Sequence, residues 1–297
     1  KAVHFRCGVC ANDRRDSTMM FFDSDKESCE TRQPAVAGRF YPAQREALVR
    51  DVESHMERNA KKSPALGIVV PHAGFMYSGD VAGAVYSRIE IPDTVILIGP
   101  NHTGRGEAVA VMTDGVWSMP MGDIAIDREL ANAICEETAI AKPDSSAHRF
   151  EHSLETQLPF LQYFKKEFQI VPICLMRLKV STCKVLSEGI VRAVNRLGRS
   201  VLLVASSDMT HYESHDAASA KDQKAIACIQ NRDPVGLWET VRSEKITMCG
   251  VNPVTVMLHC CESLGAKEAE LVKYMTSGEV SGDMEKVVGY AGLIIHR

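Results

Sequence analysis

The sequence predicts a three-layer αβα sandwich around a mainly parallel central sheet, and three observations carry that prediction. First, residues 66–70, 94–98 and 200–205 are short, continuous apolar runs, the pattern of strands buried on both faces. Second, helix-length amphipathic segments separate these runs, and strands alternating with helices imply parallel pairing. Third, each run ends in a polar, turn-forming fragment: Pro71-His72-Ala73-Gly74, Gly99-Pro100-Asn101-His102 and Ser206-Ser207-Asp208-Met209-Thr210-His211. In open α/β sheets ligands bind outside the carboxyl ends of the strands, so these fragments should share one crevice.

Taken in order, residues 1–33 stand apart. Residues 12–30 are mostly polar and charged and show neither helical nor strand periodicity, so 1–33 is read as an extension that binds a metal or a partner, or simply trails. It carries Cys7-x-x-Cys10 and Cys29, half of a zinc or redox pattern with no second pair. The main domain spans 34–297. Leu48, Val49, Val52 and Met56 mark an amphipathic helix over 43–58. After the strand at 66–70, Ser78 is expected to cap a small-residue helix through Arg88. Strands follow at 94–98 and 107–112, and Asp127 caps a helix to Glu137. Residues 152–168 carry Leu154, Leu158, Leu161 and Phe164 at helical spacing, with Pro159 marking a bend or the end of a first short turn. A strand at 169–175, a helix at 181–197 and the strand at 200–205 repeat the alternation. Helices are expected at 216–230 and 234–242. Asn252-Pro253 reads as a cap and first turn for a helix through Leu264. Strands at 269–275 and 287–295 close the domain.

Composition narrows the function classes. With 45% hydrophobic and 24% charged residues among 297, the chain can bury a large core without staples. A net charge of −4 leaves no basic footprint, so nucleic acid is not an expected ligand. No apolar stretch is long enough to span a membrane and no signal-peptide pattern opens the chain, which suggests a cytoplasmic protein. The ten cysteines are scattered, mostly in apolar surroundings, and read as free thiols in a reducing compartment. There is no G-x-G-x-x-G, P-loop or G-x-S-x-G elbow, so no nucleotide cofactor is expected.

His72 and His102, each in a small-residue turn at a strand end, are candidate metal ligands, because neutral imidazole is the commonest protein ligand for transition metals. Asp208 is either a ligand, an acid/base partner of His211 in a helical turn, or the cap of the next helix. Glu151 and Glu155 are explained by the positive end of a helix starting there, and His152, kept neutral by the same end, is a base or a ligand. His148 is read as exposed. Cys249, ahead of a helix, should have a depressed pKa and serve as nucleophile or soft ligand.

These fragments, in order, resemble the signature blocks of the Memo family (AmmeMemoRadiSam system protein B). The matching blocks are Ala37-Gly38-Arg39-Phe40-Tyr41-Pro42, Pro71-His72-Ala73-Gly74-x-x-Tyr77-x-Gly79, Gly99-Pro100-Asn101-His102, Glu151-His152-Ser153-x-Glu155, Ser206-Ser207-Asp208-x-x-His211 and Cys249-Gly250. The resemblance covers about residues 34–297 and implies a fold similar to the class III extradiol (LigB-type) dioxygenases, which use non-haem Fe(II). It implies His72, His102 and Cys249 as metal ligands, His211, Asp208 and His152 as catalytic groups, and Asn101, Glu151 and Tyr77 as pocket residues. The ion would be Fe(II), with Cu or Zn as alternatives. Cys249 stands where those dioxygenases have a carboxylate, so their activity is not carried over. The family setting implies a radical S-adenosylmethionine protein and an AMMECR-type protein as partners in one pathway. The expected function is a metal-dependent redox enzyme acting on a small molecule or peptide. The alternatives are a non-catalytic peptide-binding adaptor and a zinc-type hydrolase.

Overall fold

The computed structural model describes residues 30–297. Cys7, Cys10 and Cys29 therefore lie outside the described residues. The sheet begins earlier than residue 34: Thr31–Arg32 forms a short parallel strand beside Val116–Trp117, and Arg32 is buried.

A twelve-stranded sheet organises the molecule. Its middle is parallel, in the spatial order Ile124–Ile126, Gln169–Leu175, Thr94–Pro100, Val201–Ser206 and Gly67–Val70. Val287–His296 then adds antiparallel to Gly67–Val70, and Glu268–Thr276 pairs antiparallel with it in turn. The central strands are apolar along most of their length because both faces are covered. On one face Gly67 meets the helix Val251–Ser263, where a Cβ would sit 2.5 Å from Met257 Sδ. On the other, a Cβ at Gly292 would sit 2.6 Å from Val85 Cγ2 of the helix Phe75–Tyr86. Glycine lets both helices close onto the sheet, which completes the α/β three-layer arrangement.

Most elements lie where hydrophobic period and caps put them. Asp127 accepts a hydrogen bond from the Leu130 N–H (3.0 Å) and caps the helix Arg128–Glu137. Elsewhere tertiary packing overrides the local signal. The helix predicted from Ser78 starts at Phe75, because Phe75 is buried and Ser78 turns its hydroxyl back to the Ala73 carbonyl (2.9 Å). The stretch 152–168 is a 3-10 turn at Glu155–Gln157 followed by the helix Leu158–Phe164; Pro159, which lacks an N–H, sits in its first turn. Glu151 and His152 thus precede the helix rather than begin it. Asn252 lies inside the helix Val251–Ser263, capped by Gly250, and instead donates to the Leu178 carbonyl (3.0 Å) and to Cys183 Sγ (3.2 Å). After Ser206 the chain makes no helical turn. It leads to the strand His211–Glu213, and the next helix, His215–Gln230, is capped by Ser214, so Asp208 is not its cap. Among the described residues no helix is long and apolar enough to cross a membrane.

Candidate metal centre

Parallel register brings the polar fragments together. Val70 pairs with Ser206 and Ile98 with Ala205, so three strands end level and release His72, His102 and Asp208 along one crest. The loop ahead of the 3-10 turn supplies His152. The ring nitrogens of His72, His102 and His152 offer ligand atoms that all lie within 4.8 Å of one another. Such a group could hold one metal ion through the three imidazoles.

Hydrogen bonding orients these rings as a metal requires. The Ser206 hydroxyl donates its one proton to the Ser153 carbonyl (2.7 Å), and Gln157 Nε2 donates to Ser206 Oγ (3.0 Å). His72 Nδ1, 2.9 Å from the same Oγ, must therefore carry its proton and donate, which leaves the Nε2 lone pair facing the site. His102 repeats the device. Its Nδ1 donates to Glu151 Oε1 (2.9 Å) and its backbone N–H to Glu151 Oε2 (2.5 Å). A carboxylate or hydroxyl behind each imidazole is the usual support of a metal-bound histidine.

The electrostatics agree with this arrangement. Burial and the neighbouring histidines push His72 well below the usual imidazole range, so it is neutral. Burial also lowers His152. For Glu151 burial acts upward, but the hydrogen bond and charge of His102 and the Ser153 N–H outweigh it and hold the carboxyl at about 2. Burial opposes protonation of His102 too, yet the Glu151 carboxylate raises it overall. The histidine set, with two rings already oriented from behind, fits a divalent transition ion. A Glu151→Gln protein is expected to bind such an ion about 10–100-fold more weakly, since it loses the charge that holds His102. Chelator competition measures this, and an unchanged affinity would remove Glu151 from the centre.

The remaining site candidates are distributed around this triad. Cys249 Sγ lies 3.3 Å from His72 Nε2 and accepts from the Asp208 N–H (3.3 Å). The histidine group thus contains His152, read from sequence as a base or ligand, and Cys249 stands against it. Burial and the Asp208 carboxylate push the Cys249 thiol above its ordinary range, contrary to the depression expected from a helix end. Asp208 Oδ1 accepts the His72 backbone N–H (2.8 Å), and burial raises its carboxyl. His211 is not hydrogen-bonded to Asp208: its Nδ1 donates to the Thr247 carbonyl (3.0 Å). Tyr77 is half-buried; burial first, then the Asp208 carboxylate and Tyr77, push the Tyr290 phenol up. Asn101 closes its own turn, accepting from the Thr103 and Gly104 N–H groups and donating to the Arg105 carbonyl (2.7 Å).

A scan against family models matches residues 32–294 to the Memo-like protein family. The chain belongs to the Memo-like family. A MEMO1 family protein of Methanopyrus kandleri is 42% identical over 280 residues, covering 90% of this chain and 99% of that one. One from Methanosarcina barkeri is 44% identical over 266 residues, covering 89% and 99%. Among solved structures, an uncharacterized protein from Escherichia coli K12 aligns with a TM-score of 0.50 at 11% identity, over 77% of this chain and 98% of that one, a likeness of fold alone.

In this Memo-like chain sequence reasoning gave no role to the groups behind His72. Ser206, Ser153 and Gln157 hold His72 in place. Glu155 is fully buried and accepts from Arg32 (2.5 Å), Tyr41 (2.6 Å) and the Ala35 and Val36 N–H groups, so helix-end electrostatics do not account for it. His148 is fully buried rather than exposed, with Nδ1 3.3 Å from Cys174 Sγ, and burial lowers it to about 4. Only the clustering of Glu151, His152, Ser153 and Glu155 in the sequence hinted at this support.

Proposed function

We propose that this Memo-like chain is a metal-dependent redox enzyme with Fe(II) as its resident ion and copper as the alternative. The observation that carries the reading is the set of His72, His102 and His152, with two Nδ1 atoms tied down by Ser206 and Glu151. The Cys249 thiol beside His72 favours softer redox ions over magnesium or calcium. A bound ion would supply one-electron chemistry at this crest. The chain's own groups then take the other roles. His211, its ring fixed through Nδ1 by the Thr247 carbonyl, holds or moves a proton. Asp208 fixes the His72 backbone, and Tyr77 and Asn101 are taken as pocket residues on the family resemblance. The substrate is a small molecule or a peptide. The pathway includes a radical S-adenosylmethionine protein and an AMMECR-type protein, a proposal that rests on the family resemblance. A cytoplasmic location is proposed from the seven free cysteines among the described residues.

Three imidazoles are also a donor set that zinc accepts with an open position, which favours a zinc hydrolase as the second reading. Metal analysis of anaerobically purified protein beside His102→Ala separates them. Stoichiometric iron or copper that disappears in the variant is the expected result. Zinc that disappears in the variant would replace the redox reading with hydrolysis. Protein without metal affinity would leave a peptide-binding adaptor.

A further inference from the structure

Beside the histidines, a cavity of about 620 Å³ opens between the strand ends and the first turn of the helix Val251–Ser263. That is the size of a small-molecule site. Its inner wall includes His102 and Cys249, so whatever fills it reaches the metal centre. Its other polar wall is cationic. Arg177, Arg242 and Lys245 line it, and among the described residues no aspartate or glutamate does. In a chain of net charge −4 this is a local reversal of sign.

The cations are available. Among the described residues none of the three pairs with a carboxylate, and Glu244, next to Lys245, is taken by Lys224 (2.8 Å). The Arg242 guanidinium lies 4.4 Å from the centroid of the Trp238 ring, which pre-orients it while leaving its N–H edge open. Arg177 follows the strand end where Leu175 pairs with Pro100, and it lines the cavity together with His102. The helix Val251–Ser263 adds its positive end, with no side-chain cap and no acidic residue in its first turn. Leu175, Val241 and Met248 make the rest of the wall apolar.

We propose that this cavity binds a small organic anion, an apolar body carrying a carboxylate or phosphate that Arg177, Arg242 and Lys245 hold while the body reaches toward His102 and Cys249. That the anion is a substrate rests on the metal-enzyme reading above; its binding does not. Titration calorimetry with benzoate, phenyl phosphate and neutral benzyl alcohol tests it, on metal-loaded and on chelated protein. At least one anion is expected to saturate the protein in both states while benzyl alcohol does not, and the tighter of the two identifies the acid group. Arg242→Gln and Arg177→Gln should each weaken that anion about tenfold or more, the effect of losing a charge-assisted hydrogen bond, without changing metal content. Anion binding in a protein that holds no metal would keep this proposal and overturn the enzyme reading. Equal binding of benzyl alcohol, wild-type anion affinity in the Arg177→Gln/Arg242→Gln protein, binding that vanishes on chelation, or no binding by any probe would each overturn this proposal.

Discussion

A His72→Ala protein is expected to lose about a hundredfold or more in metal affinity while keeping its fold. Four-ligand zinc sites bind with roughly 10–16 kcal/mol, or about 3 kcal/mol per ligand, and each 1.4 kcal/mol is tenfold. His72 is the most buried of the three histidines and the one whose Nε2 lone pair is specified by the proton count at Ser206. Its removal should leave the scaffold intact. The backbone N–H keeps its bond to Asp208, and the Ser206 hydroxyl keeps Ser153 and Gln157 as partners. Chelator competition gives the affinity and thermal denaturation monitors the fold. Wild-type metal affinity in a folded His72→Ala protein would sink the assignment of the centre. The same titration on His211→Ala should show metal binding unchanged, because that ring is committed to Thr247 and not to the triad.

The second large effect is on stability. Glu155→Ala should destabilise the protein by about 3–5 kcal/mol, the usual result of stripping one partner from a buried ion pair. Its carboxylate serves the Arg32 guanidinium, the Tyr41 hydroxyl and two backbone N–H groups, all inside the protein. Burial and the same carboxylate push the Tyr41 phenol well up, so Tyr41 stays a donor and loses its acceptor outright. Arg32 would keep the His148 and Glu151 carbonyls (3.0 and 2.6 Å) but remain a charge without a counter-charge. At about 2–4 °C per kcal/mol for a domain approaching this size, the melting temperature should fall by on the order of 10 °C. Glu155→Gln, which retains one oxygen acceptor, should fall less. A melting temperature unaltered by Glu155→Ala would mean that this cluster does not anchor the chain's first described strand.

The contrast between these residues shows what was legible in the sequence. His72 and His102 could be picked out because each follows a buried apolar run by a short turn, and the carboxyl edge of a parallel sheet is where ligands go. Glu155 could not be valued, because its main partner, Arg32, is 123 residues away, in the segment read as an extension outside the main domain. His148 was misjudged for a related reason. A polar loop is normally at the surface, and only the packing of Trp117 and Cys174 around this one buries it.

Local sequence pattern specified the alternation of buried strands and helices, the Asp127 cap and the strand ends that carry His72 and His102. Each depends on residues within a few positions of one another, where side-chain period and capping chemistry act. Long-range packing settled that His152 joins His72 and His102 while the Cys249 thiol stands beside them, that His211 turns to Thr247 rather than to Asp208, and that Nδ1 of His72 and His102 carries a proton. Those outcomes depend on which groups lie within hydrogen-bonding distance once strands far apart in the chain pair in register, and short-range pattern holds no record of that distance.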